Sequence, residues 1–257
     1  MVICKSPAEL AKMHRSGLIV WEALEKMRAM VRPGISTKDL DEFAEGFVAK
    51  SGGHPAFKGY RGYPGSVCTS INQEIVHGIP SASRKLREGD ILSMDFGVEM
   101  EGYFADAALT VPVGSVKPER EKLLRVTRES LEHGIEKVRL GNRLGDVSSA
   151  VQQWVEKNGF SVVREFVGHG IGTRMHEDPQ LPNYGQPGQG ARLQEGMVLA
   201  IEPMVNAGRP AVRILDDEWT AVTADGSDSA HFEHTVAVTS NGPWILTRPD
   251  SAAGPVW

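Results

Sequence analysis

Apolar residues recur at helical spacing near the start of the chain, at Leu10, Met13, Val20, Leu24, Met27 and Val31. Ser6-Pro7-Ala8-Glu9 stands before them. Serine can cap, proline suits the first helical position, and Glu9 completes a capping box. Pro33-Gly34 ends this helix, and a second is predicted from about Thr37 to Ser51-Gly52-Gly53, with Leu40, Phe43, Ala44, Phe47 and Val48 on one face. The plan then returns. Pro118 opens a helix carrying Leu123, Leu124, Leu131, Ile135 and Val138, which Gly141 ends. Another carries Val147, Ala150, Val151, Trp154 and Val155 and stops at Asn158-Gly159. Between the helix pairs, residues 91–98 and 103–113 read as strands.

The recurrence keeps one offset of 107 residues. Gly34 falls on Gly141, Asp39 on Asp146 and Gly52 on Gly159. Leu86, Glu88, Gly89 and Leu92 fall on Leu193, Glu195, Gly196 and Leu199, all identical. A shared offset for helix ends and strand starts points to an internal duplication. The expectation is one α+β unit over residues 1–257, built of two related α/β halves, about 1–113 and 114–257. The same offset pairs Asp95 with Glu202, a first sign that these carboxylates share a site.

If Met100-Glu101 form a two-residue hairpin loop, Asp95 and Asp106 face each other directly. Opposed like charges destabilise a ladder, and an unpaired carboxylate in an apolar strand is costly. An arginine, a shared proton or a metal could compensate. Neither strand holds arginine or lysine, which favours the metal. Glu202 ends an apolar run before Pro203, and Glu233 lies in the β-branched stretch from His231 to Val238. His169 sits among glycines in Gly168-His169-Gly170-Ile171-Gly172. Four carboxylates and one imidazole suit a pair of divalent cations, Mn, Fe, Co or Zn, and hence metal-assisted hydrolysis.

Composition narrows the setting. The formal net charge of -5 argues against a dedicated nucleic-acid binder. Two cysteines, Cys4 and Cys68, cannot build a disulfide framework. The first residues lack the apolar core of a signal peptide, and no apolar run reaches the length of a bilayer span. A cytoplasmic location without membrane contact is expected.

The set Asp95, Asp106, His169, Glu202 and Glu233 resembles the metal site of the type I methionine aminopeptidases, which have the pita-bread fold. The stretches Gly59-Tyr60-Arg61-Gly62-Tyr63-Pro64, Ser70-Ile71-Asn72-Gln73-Glu74, His77-Gly78-Ile79-Pro80, His176-Glu177-Asp178-Pro179 and Ile201-Glu202-Pro203 extend the resemblance over nearly the whole chain. It implies a central antiparallel sheet covered by helices, and removal of an initiator methionine when the second residue is small. It implies that His77 contacts the substrate's amino end and scissile region, that His176 stabilises the oxyanion, and that Glu202 takes a proton from water. Tyr60, Tyr63, Cys68, Met175 and Trp219 match the walls of the methionine pocket. Phe57 stands where some members have cysteine, and Met175 where phenylalanine is common. The implied partners are peptides and nascent chains with N-terminal methionine, with room for a transient ribosome contact, and the implied state is a monomer. Xaa-Pro peptidases and creatinase-like enzymes of the same fold usually carry an extra N-terminal domain, for which this chain leaves no room. A non-catalytic relative would typically have lost ligands that are present here.

Overall fold

The computed structural model describes residues 2–252 and 257. Met1 and residues 253–256 of the expected catalytic unit lie outside the described residues. Four helices form where the pattern places them: α1 Pro7–Met30, α2 Thr37–Ser51, α3 Pro118–Glu136 and α4 Leu144–Lys157. Ser6 and Ser36 cap α1 and α2 through capping boxes with Glu9 and Asp39. Left-handed Gly52 stops α2. The helix faces turned inward are apolar at three- and four-residue steps; α1 buries Leu10, Met13, Val20, Leu24 and Met27.

The helices cover a nine-stranded sheet in which every paired neighbour runs antiparallel. Its central path runs through Ile91–Met100, Tyr103–Pro112, Glu233–Thr239, Val198–Ile201 and Gly168–Gly170. The main core lies between sheet and helices, with Leu24, Met27 and Leu40 against Met94, Phe96, Leu109 and Val236. This gives the α+β architecture expected, with short strands of the second half joining the long hairpin of the first.

The hairpin register differs from the expectation. Met100 pairs with Tyr103, so the loop is Glu101-Gly102, not Met100-Glu101. Both loop residues have positive φ, 53° and 80°. A tight hairpin of this hand favours glycine second, and Gly102 occupies that place at no steric cost. Asp106 therefore faces Gly97, and Asp95 faces Ala108. The two aspartates are diagonal neighbours on one face, still near enough to interact.

The offset of 107 recurs in backbone bonds. Leu86 N–H donates to Ile35 O and Leu193 N–H to Asn142 O, both at 2.9 Å. Thr37 N–H donates to Arg84 O at 2.9 Å, and Leu144 N–H to Ala191 O at 3.0 Å.

Two glycines in neighbouring helices make opposite predictions. A Cβ on Gly17 would lie 2.1 Å from the Leu246 carbonyl oxygen, where α1 meets the C-terminal segment. A Cβ on Gly46 in α2 meets nothing within 4 Å. Gly17→Ala should cost about 1–3 kcal/mol, or several degrees of Tm, whereas Gly46→Ala should gain about 0.4–1 kcal/mol. Thermal unfolding of both variants checks the pair, and equal Tm values would contradict this packing of α1.

Candidate active site

The sheet register lines up the site. Cys68 pairs with Asp95, Asp95 with Ala108, and Ala108 with Glu233. On the far side of that strand His234 pairs with Ile201, so Glu202, the next residue, comes opposite Glu233. One row across the sheet thus carries three carboxylates around a small alanine. Asp106 is two residues from Ala108, and His169 pairs with Ala200, two residues before Glu202. Because side chains alternate with period two, Asp106 and His169 point to the same face. Sequence position separates these residues widely; the antiparallel pairings bring them together.

Ligand-type atoms of Asp106, His169 and Glu233 lie within 4.8 Å of one another. His169 Nε2 is 3.6 Å from Glu202 Oε1. His169 Nδ1 is 2.9 Å from the Gly170 carbonyl oxygen, which can only accept, so the proton belongs on Nδ1. Nε2 is left with its lone pair toward the carboxylates, the tautomer a metal ligand needs. Asn183 Nδ2 donates to the Glu202 carbonyl at 2.9 Å, and the Thr235 hydroxyl bonds both the amide and the carbonyl of Asp106. These bonds fix the backbone that aims the side chains of Asp106 and Glu202.

Among the described residues, the ion-pair contacts of these carboxyl groups are to histidines, not to arginine or lysine. Asp95 Oδ1, Asp106 Oδ1 and Glu233 Oε1 are buried without a hydrogen-bond partner. Burial raises the Asp106 carboxyl to about 7. Burial, then neighbouring carboxylates, holds those of Asp95, Glu202 and Glu233 well above the usual range. The nearby histidines do not supply positive charge, because burial lowers His169 and His231 to about 3 and His77 to about 4. Orphaned, oxygen-rich and negative, the donor set fits divalent cations.

Every residue singled out in the sequence lines one cavity of about 150 Å³: Asp95, Asp106, His169, Glu202 and Glu233 with His77, His176, Tyr60, Tyr63, Cys68, Met175 and Trp219. The apolar members form a wall beside the carboxylates. Tyr63 meets Trp219 edge-on at 5.1 Å, and its hydroxyl donates to the Gly78 carbonyl at 2.9 Å. His77 lies edge-on to both Phe166 and Trp219. Phe57 and Met175 converge over Gly97, where a Cβ would come within 2.9 Å of Phe57 Cε1. His176 stands at the mouth, 4.2 Å from the His169 ring between centroids, with its Nδ1 2.8 Å from the Tyr60 hydroxyl. Partial desolvation at the cavity mouth, then the Arg61 guanidinium, keeps its pKa below the ordinary value.

Three features went unread in the sequence. Arg61 lines the cavity between two tyrosines, and its place within Gly59–Pro64 was the available signal. His231, fully buried, has its Nε2 3.9 Å from Glu233 Oε2. The buried ion pair Lys5–Glu177, 2.5 Å, ties the N-terminal segment to the turn carrying Met175 and His176. No local pattern announces a pair 172 residues apart.

Residues 11–240 match metallopeptidase family M24. The chain belongs to that family. It is 54% identical over 248 residues to methionine aminopeptidase 1 of Bacillus subtilis, covering 96% of this chain and all of that one. It is 54% identical over 247 residues to the methionine aminopeptidase of Clostridium perfringens, covering 96% and 99%. The crystal structure of methionine aminopeptidase from Thermotoga maritima superposes with a TM-score of 0.96 at 47% identity, over 97% of this chain and all of that one. Prolidase from Pyrococcus furiosus shares the fold alone, with a TM-score of 0.75 at 21% identity, and this chain covers 66% of it. The architecture is the pita-bread fold of this M24 family, which works with divalent metal.

The shifted carboxyls give a pH prediction for chelator-stripped protein. A carboxyl raised by folding disfavours the folded state as pH climbs from its unfolded value toward its folded one. Buried neutral histidines act oppositely below about pH 6.5, so the two effects oppose each other there. Above that point only the carboxyls remain, with Asp106 titrating near 7 and those of Asp95, Glu202 and Glu233 held well above the usual carboxylate range by burial and by one another. Tm of the metal-free protein should fall from about pH 6.5 to 8.5, and added divalent cation should remove the fall. A flat or rising metal-free Tm over that range would refute the cause assigned here.

Proposed function

We infer that this chain removes the N-terminal methionine from peptides and nascent proteins whose second residue is small, by hydrolysis assisted by two divalent cations. It is a metalloaminopeptidase of family M24. The observation that carries the substrate assignment is the juxtaposition in one cavity of the carboxylate–histidine cluster and a wall of Tyr60, Tyr63, Cys68, Met175 and Trp219. A thioether packs favourably against aromatic rings, and a charged side chain would lose its hydration there without a partner.

Asp95, Asp106, His169, Glu202 and Glu233 would hold the cations, Mn, Fe, Co or Zn. Bound there, they would supply a water of lowered pKa and a polarised carbonyl. Around them the chain's own groups divide the work. Glu202 accepts the proton of the attacking water and passes it toward the leaving amine. His176, neutral and at the cavity mouth, donates to the carbonyl oxygen as charge develops. His77, half-buried between Phe166 and Trp219, contacts the amino end and scissile region. The aromatic wall excludes water from the methionine side.

The same reading makes the chain one catalytic unit of two related halves, about 1–113 and 114–257, supported by the paired backbone bonds at constant offset. It makes the protein a cytoplasmic monomer that meets nascent chains, with a transient ribosome contact. No helix of the described residues is long and apolar enough to cross a membrane.

Cleavage of Met-Xaa-Ser peptides tests the assignment, with Xaa as Ala, Val, Leu, Phe or Lys, and with Lys, Asp or an Xaa-Pro start as controls. Forcing a large second side chain against packed atoms costs about 1–3 kcal/mol. The expected loss in kcat/KM from Ala to Phe is therefore roughly one to two decades, and chelator should stop all cleavage. Equal rates for Ala and Phe would remove the small-residue rule. Efficient release of a first Lys or Asp would remove the methionine assignment, and preference for Xaa-Pro would make the enzyme a proline peptidase.

A further inference from the structure

His176 is exposed at the cavity mouth, whereas His169 is buried below it. An exposed imidazole has freedom to rotate unless something holds it. One side of its ring meets His169. On another stands Tyr60, with ring planes 22° apart, centroids 5.4 Å apart and the phenolic oxygen 2.8 Å from Nδ1. Among the described residues, this is the hydrogen bond found for the His176 ring.

We propose that Tyr60, beyond lining the pocket, is a positioning residue for His176: its hydroxyl donates to Nδ1 and so aims an Nε2–H at the substrate carbonyl. The proposal rests on the reading of His176 as the oxyanion donor. A neutral imidazole has one donor and one acceptor nitrogen, and the bond made at one sets the role of the other. An oxyanion needs a donor, so the nitrogen facing Tyr60 must accept. A phenol can satisfy it, because its O–H is free to donate.

The chain places Tyr60 with some effort. Gly59, Arg61 and Gly62 all have left-handed backbone, with φ of 82°, 51° and 92°. Glycine adopts this freely, but for Arg61 it is uncommon. Gly59 N–H donates to Tyr63 O at 2.8 Å, and Tyr63 N–H to Tyr60 O at 2.9 Å, closing the loop on itself. The Arg61 guanidinium lies 5.4 Å from the centroid of the Tyr60 ring. Tyr60 is thus held between Arg61 and His176, with its oxygen fixed toward Nδ1.

Tyr60→Phe removes one oxygen and keeps the aromatic wall. With saturating metal and Met-Ala-Ser, kcat should fall about tenfold while KM changes less than about twofold. His176→Ala should lower kcat about 10²–10³-fold. In that background Tyr60→Phe should cost nothing more, because the two residues act as a unit. A loss confined to KM, an unchanged kcat, or the same loss in both backgrounds overturns the proposal. The tautomer is read without turnover, from two-bond ¹H–¹⁵N correlations of labelled, metal-free protein. They should place the His176 proton on Nε2, and Tyr60→Phe should shift the Nδ1 resonance; a proton on Nδ1 overturns the proposal whatever the kinetics. If His176→Ala alone keeps wild-type kcat, both the oxyanion role and this role of Tyr60 fall, while methionine specificity stands or falls by the peptide series.

Discussion

Four carboxyl groups share one buried face of the sheet, and their mutual repulsion governs how the rest can be built. Two unit charges about 4 Å apart repel by about 4 kcal/mol at an effective dielectric of about 20. Desolvation adds to that for each ion taken from water. Arg and Lys could have offset this, yet the ion-pair contacts found for these carboxylates among the described residues are to histidines that burial keeps neutral. Without metal, protons retained by the raised carboxyls relieve this; divalent cations would relieve it and also fill the orphaned oxygens. Hydrogen bonds behind these side chains hold the arrangement in place. Thr235 locks Asp106, Asn183 locks the Glu202 carbonyl, and Gly170 fixes the tautomer of His169.

From that constraint the substrate side follows. The aromatic residues beside the carboxylates close one side of the cavity. Its floor is shaped by an absence. Gly97 carries no side chain, so Phe57 and Met175 can close over it. His77, Tyr60 and His176 come from loops and one short 3-10 turn, while strands carry most of the side chains proposed as metal ligands.

The helices were legible because their signals are local. Ser6, Pro7 and Glu9, or Gly52 after a periodic run, act through neighbours within a turn. The carboxylates proposed as ligands stood out for a different reason: an unpaired carboxylate in an apolar strand is costly unless something compensates it. Their arrangement was harder. The aspartates were expected face to face, but the Glu101-Gly102 turn sets the register two residues away from that, since glycine relieves the second positive φ. The row from Cys68 through Asp95, Ala108 and Glu233 to Glu202 depends on strand order, which no single segment encodes. Lys5–Glu177 and the Tyr60–His176 bond are likewise tertiary, each joining a loop or terminus to a distant turn.

The claim on which the account depends is that this face is built for two divalent cations. Calorimetric titration of chelator-stripped protein with Mn²⁺ or Co²⁺ at neutral pH measures it most directly, with elemental analysis of the saturated protein as the count. The account predicts uptake of two ions per chain, accompanied by proton release as the raised carboxyls ionise, and marked weakening in Asp106→Asn. Saturation without measurable uptake, or uptake of the same strength and number in Asp106→Asn, would contradict it.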